Sequence, residues 1–98
     1  MVMHNTFEFN SLNDWPRVDQ QLRRNVRALH NPQHRRQISK MQDNLYHSIT
    51  ELSKAEIDYR RTANSTVYLA KLATVREQLL ELQQWLMFAT LIDTKPEE

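Results

Sequence analysis

The chain contains no glycine, and this limits what it can fold into more than any motif it carries. A soluble domain of 98 residues ordinarily holds about seven glycines. GxGxxG dinucleotide turns, GxxxxGK phosphate loops and GxSxG nucleophile elbows all need backbone that only glycine adopts cheaply, so none of them is available. Two-residue hairpin turns with positive φ are poorly served too, which disfavours all-β and doubly wound architectures. Cysteine is also absent, which removes disulfides, thiolate nucleophiles and cysteine-based zinc sites. A small helical protein is what such a composition permits.

At this length one domain is expected, and about 60–65% of the unfolded surface can be buried, which leaves a lone monomer modestly stable. Self-association is therefore expected to complete the core. The longest apolar cluster, Trp85 to Ile92, is interrupted by Thr90 and falls far short of the roughly 20 residues that a membrane span requires. No basic stretch followed by an apolar run occurs in residues 1–10. The expectation is a cytoplasmic protein without membrane contact.

The net charge of +1 conceals an uneven distribution. Residues 1–14 carry −2, residues 15–40 carry +6 and residues 41–98 carry −3. The basic third contains Arg17, Arg23, Arg24, Arg27, Arg35, Arg36 and Lys40 against Asp19 alone, with His30 and His34 inside it.

Residues 1–13 read as an extended arm in which Phe7 and Phe9 alternate with polar neighbours. A first helix over about residues 14–30 is signalled by Asn13 and Asp14 as cap candidates and by Pro16 in the first turn. Its apolar face is Trp15, Val18, Leu22, Val26 and Leu29. Asn31 and Pro32 end it and start a second helix over about residues 32–61, with Ile38, Met41, Leu45, Ile49, Leu52 and Tyr59 as its stripe and Ala55 filling the gap before Tyr59. A third, over about residues 66–93, carries Tyr68, Leu72, Val75, Leu79, Leu82, Leu86 and Ala89 in an unbroken alternation of four and three. Extrapolated backward, that alternation falls on Ser65, Arg61, Asp58, Lys54, Glu51 and His47, all polar. The two seams are out of phase, so the spacing predicts a turn near Asn64 rather than one rod of about 90 Å. The fold class expected is all-α: a bundle of three helices in one domain over residues 14–94, followed by a tail over residues 95–98.

Two constellations stand out. Arg23, Arg24 and Arg27 on the first helix and Arg35, Arg36 and Lys40 on the second would meet at one end of a hairpin, forming a guanidinium cluster suited to nucleic-acid phosphate. The plain alternative is a solvated face with local pairing to Asp19, since no aromatic residue interleaves with these arginines in the sequence. At the other end of the chain, Trp85, Met87, Phe88, Leu91 and Ile92 make the third helix apolar around nearly its whole circumference, an arrangement that calls for a protein partner or a second copy. The alternative cover for that surface is the Phe7 and Phe9 arm. His30 and His34 flank Pro32 at a helix break and do not share one face as metal ligands would. Ser39, Ser48, Ser53 and Ser65 have no evident base, and Glu77 with Glu81 reads as a solvated pair. Neither catalysis, a metal, a cofactor nor a small-molecule substrate is expected.

The order of features resembles the small four-helix-bundle family that includes the accessory variability determinant (Avd) of diversity-generating retroelements and the proteins encoded in ribosomal RNA intervening sequences. Asn31, Pro32, Gln33, His34 and Arg35 are similar to that family's proline turn. Tyr68, Leu69, Leu72, Val75, Arg76, Leu79, Leu80, Leu86 and Ala89 are similar to its leucine-rich third helix. The resemblance covers about residues 15–95, lacks a counterpart of the fourth helix, and confines the basicity of Avd to one region. It implies a non-enzymatic oligomeric accessory of a mobile element that binds RNA or DNA and a reverse transcriptase, with Arg23, Arg24, Arg27, Arg35 and Arg36 as carried-over contacts. The rival expectation is a purely protein-binding module, such as a secretion chaperone, a small regulator or an inhibitor.

Overall fold

The computed structural model describes residues 7–93, and among these the regular structure is entirely helical. A single 3-10 turn, Leu12–Asp14, leads into α1 (Trp15–Arg27), α2 (Pro32–Thr62) and α3 (Thr66–Asp93). The first six residues of the expected arm, the expected domain end at residue 94 and the expected tail over residues 95–98 lie outside the described residues.

Of the two expected caps, Asp14 holds the N-cap position of α1 but makes no side-chain cap bond there. The helical path begins earlier, at Ser11 and not Asn13: the Ser11 side chain accepts from the Asn13 amide at 3.3 Å. The Asp14 carboxylate reaches back to the Asn10 and Ser11 amides at 2.7 and 3.4 Å. Ser11 and Asp14 thus form a reciprocal capping box around the 3-10 turn. Arg17 ties the arm down further, donating to the Glu8 carbonyl at 2.6 Å and lying 3.6 Å from Asp14. These bonds set Phe7 and Phe9 into the core, where both are buried.

The first helix ends at Arg27, three residues before the expected His30. Its last turn tightens: the Ala28 amide is shared between the Arg24 and Asn25 carbonyls, and the Leu29 amide donates to Val26 at 3.1 Å. That tightening swings Leu29 inward, where it is 2% exposed. Asn31 then takes the extended conformation that a following proline favours, and its side chain accepts from the Gln33 amide at 2.8 Å to open α2.

The reversal between α2 and α3 occurs where the two seams lose phase, in residues Ala63–Ser65. Ala63 has φ 61° and ψ 15°, the left-handed conformation that glycine usually supplies at a helix C-terminus. It is the only non-glycine residue with positive φ among the described residues. Its amide donates to Tyr59 at 2.7 Å, the Asn64 amide to the Thr62 hydroxyl at 3.2 Å, and the Thr66 amide to the Asn64 side chain at 3.0 Å. Tyr59 and Tyr68 stack across the turn, ring centres 5.2 Å apart and planes 17° from parallel.

One core joins all these segments: Phe7 and Phe9 from the arm, Val18 and Leu22 from α1, Leu29, then Ile38, Leu45 and Leu52 from α2 against Val75, Leu79, Leu82, Leu86 and Ala89 from α3. Every buried position of α2 and α3 lies on its expected stripe. The α2–α3 hairpin is the long axis of a molecule 60 × 28 × 17 Å across. The much shorter α1 begins level with Tyr46, where Trp15 meets that ring edge-on at 5.8 Å, and runs back toward Pro32. The half of the hairpin nearest Ala63 lies beyond it.

Two measurements test this reading. Ala63→Gly is expected to stabilise the protein by about 1 kcal/mol, because a left-handed alanine costs about that much relative to glycine. In thermal unfolding this appears as an upward shift of about 4–8 °C; no shift or a fall would contradict the turn. Asp14→Ala is expected to free the Asn10 and Ser11 amides and speed their hydrogen exchange. The amide of Asn10 holds the Asp14 carboxyl below its ordinary 3.8, so its contribution is complete above that pH and is lost as pH falls through the depressed folded value.

Candidate nucleic-acid interface

The four-residue connection Ala28–Asn31 places the end of α1 beside the start of α2, and with them the two groups of cations. Arg23, Arg24, Arg27, Arg35, Arg36 and Lys40 are all exposed. Arg24 and Arg27 occupy the C-terminal turn of α1, where the helix dipole favours positive charge. Arg35 and Arg36 occupy the opening turns of α2, where the dipole and the side chains are both positive, and no acidic residue offsets them in the first turn. The end dipoles of α1 and α2 are opposite in sign and offset one another here, so the positive potential of this end rests on its side chains.

The carboxylate between Arg23 and Tyr46 is committed. Asp19 accepts from Arg23 Nε at 3.1 Å through one oxygen and from the Tyr46 hydroxyl at 3.1 Å through the other. Gln42 Nε2 in turn donates to the Tyr46 oxygen at 3.4 Å. Local pairing to Asp19 thus holds for Arg23, and the Asp19 hydrogen bond raises the pKa of its guanidinium. None of the ion pairs among the described residues engages Arg24, Arg27, Arg35, Arg36 or Lys40.

Arg23, Val26, Arg27, Gln42 and Tyr46 line an open groove between α1 and α2. The fold thus brings an aromatic ring to arginines that no aromatic residue interleaves in the sequence. Tyr46 is 19 residues from Arg27 in the chain, and only the antiparallel packing of α1 on α2 brings its ring among them. Gln42 enters the groove by the same route, one helical turn before Tyr46. The signal available in the sequence was their i, i+4 spacing on the flank of the α2 stripe, which marks a helix face but not its neighbour.

The apolar residues at the end of α3 divide. Trp85 is half-buried, edge-on to His34 at 5.4 Å and to Phe88 at 6.5 Å. Met87, Phe88, Leu91 and Ile92 are exposed, Leu91 to 73%. The described part of the arm does not cover them: Phe7, Glu8 and Phe9 lie beside Arg76, Leu80 and Gln83, farther back along α3. The His34–Trp85 contact sets this apolar end directly beside the basic end, a juxtaposition that neither stretch of sequence announces.

Among the described residues no three metal-ligating side chains gather, and no helix is long and apolar enough to cross a membrane. The Asp19 network has a titration signature. Partial burial, then the charge and hydrogen bond of Asp19, raise the Tyr46 phenol above its ordinary 10.0, with Arg23 opposing. The folded state therefore binds the phenolic proton more tightly than the unfolded chain. Its stabilising effect is complete below pH 10 and is lost as pH rises through the higher folded value. In Tyr46→Phe the ultraviolet titration is expected to lose a step that lies above pH 10.0; loss of a step at or below 10.0 would contradict the network. Comparison of the chain with protein-family models, with curated proteins and with solved structures gives no match.

Proposed function

We propose that this protein is a non-catalytic accessory or adaptor whose arginine-rich end binds nucleic-acid backbone while the apolar end of α3 binds protein. The observation that carries the reading is the groove between α1 and α2. Two guanidinium groups, an amide and a phenol ring line it, and the Asp19 carboxylate beside them is already occupied. Exposed arginines engage phosphate bidentately, and five of the six cations of this surface enter no ion pair among the described residues. Recognition of this kind rests on charge and shape more than on base identity, so RNA and DNA are both candidate ligands. The likeness to the Avd family, a cytoplasmic setting and a mobile-element context belong to the same proposal.

The exposed apolar residues beside the groove suit a protein partner, and completion of the three-helix core as a bundle by self-association is part of the reading. The alternative is a purely protein-binding module, which the same exposed residues favour if the arginines merely solubilise that end.

Salt separates the two. If four or more phosphates are neutralised, log K for a duplex is expected to fall with log salt at a slope of about −4 or steeper. Changing Arg23, Arg24, Arg35 and Arg36 together to Ala is expected to abolish a low-salt gel shift. Absence of any shift with RNA or DNA at low salt would transfer the assignment to the protein-binding module.

A further inference from the structure

The outer face of α3, turned away from α2, carries a second apolar row. Leu69, Ala73, Leu80, Met87 and Leu91 are all exposed. At about 100° per residue they fall within about 40° of one another on the helix circumference. Their spacings are 4, 7, 7 and 4, which read the same in both directions from Leu80. The row extends about 33 Å, a little over three heptads. The arm borders it at Arg76, Leu80 and Gln83 and leaves Leu80 exposed to 55%.

We propose that this row is the contact with a second copy of the chain, α3 against α3 in antiparallel orientation, with the two-fold axis at Leu80. The proposal narrows the self-association described above to one face and one geometry. A two-fold interface must be complementary to itself, and a palindromic row satisfies that requirement without further adjustment. Leu80 meets the same residue of the second copy, Ala73 meets Met87 so that a small side chain faces a long flexible one, and Leu69 meets Leu91.

The flanking polar residues suit that direction. Between Ala73 and Leu80 lie Arg76 and Glu77, and between Leu80 and Met87 lie Gln83 and Gln84. The antiparallel two-fold brings Arg76 to Gln83 and Glu77 to Gln84 of the second copy. Each charge then meets a neutral amide able to hydrogen-bond it: the Gln83 carbonyl accepts from the guanidinium, and the Gln84 amide donates to the carboxylate. A parallel pair in register would instead set Ala73 against Ala73 and Met87 against Met87, leaving a gap at one layer and crowding at another. The net charge of +1 adds little repulsion between copies. Phe88 and Ile92 point off this row and stay available to another partner.

Sedimentation equilibrium on the full chain is expected to show a mass rising with concentration toward twice 11.8 kDa. Leu80→Glu, which places two carboxylates on the two-fold axis, is expected to weaken association at least a hundredfold with helical circular dichroism unchanged. Met87→Glu provides the same test away from the arm. Mixing Leu80→Glu with Leu80→Lys is expected to restore the doubled mass, which general destabilisation would not do. The cysteine-free background gives a second readout. Leu80→Cys alone is expected to crosslink on mild oxidation, while Leu69→Cys crosslinks with Leu91→Cys and not with itself. A wild-type mass of 11.8 kDa at every concentration, a doubled mass retained in both glutamate variants, or self-crosslinking of Leu69→Cys would each overturn the proposal. None of these readouts involves nucleic acid, so failure of the gel shift and failure of this pairing are distinguishable.

Discussion

The reversal at Ala63–Ser65 is the constraint on which the rest of the molecule depends. Val75, Leu79 and Leu82 are buried only because α3 is folded back onto Ile38, Leu45 and Leu52. A continuous helix would carry two seams on different sides, and neither could cover the other. The turn demands a left-handed residue, and with no glycine in the chain an alanine supplies it at a cost of about 1–2 kcal/mol. The stacked rings of Tyr59 and Tyr68, in a geometry worth about 0.5–1.5 kcal/mol beyond their buried area, close the turn from outside and offset most of that cost.

Much of this architecture is legible in the residues because helices leave a strong periodic trace. The stripes of α2 and α3 mark their buried positions, Asn31 and Pro32 mark a boundary, and the loss of phase marks the turn. The start of α1 was harder to read, since Ser11 acts through a 3-10 turn rather than next to the first apolar residue. Its end was misplaced because Leu29 continues the apolar spacing after the backbone has left the α-helix. A side chain's periodicity says which way it points, not whether its amide still bonds four residues back.

The candidate site was legible only in its charges. The cations form a visible cluster in the sequence, but the ring and amide beside them arrive from another helix through the Trp15–Tyr46 and Asp19–Tyr46 contacts. Those contacts have sequence separations near 30 and leave no local signal. The same holds for His34 and Trp85, which join the basic and apolar ends across 51 residues of chain. The His34–Trp85 contact thus puts the two ends on one continuous surface.

The unequal lengths of the helices have a thermodynamic consequence. With 13 residues in α1 against 31 in α2 and 28 in α3, only the half of the hairpin nearest Pro32 has a third helix beside it. Cooperativity in so small a protein follows contact density, so the two halves open with different free energies. On contact density the end that holds α1, residues Phe7 to Asn13 and the cations is expected to open last, and the two-helix end at Ala63 first.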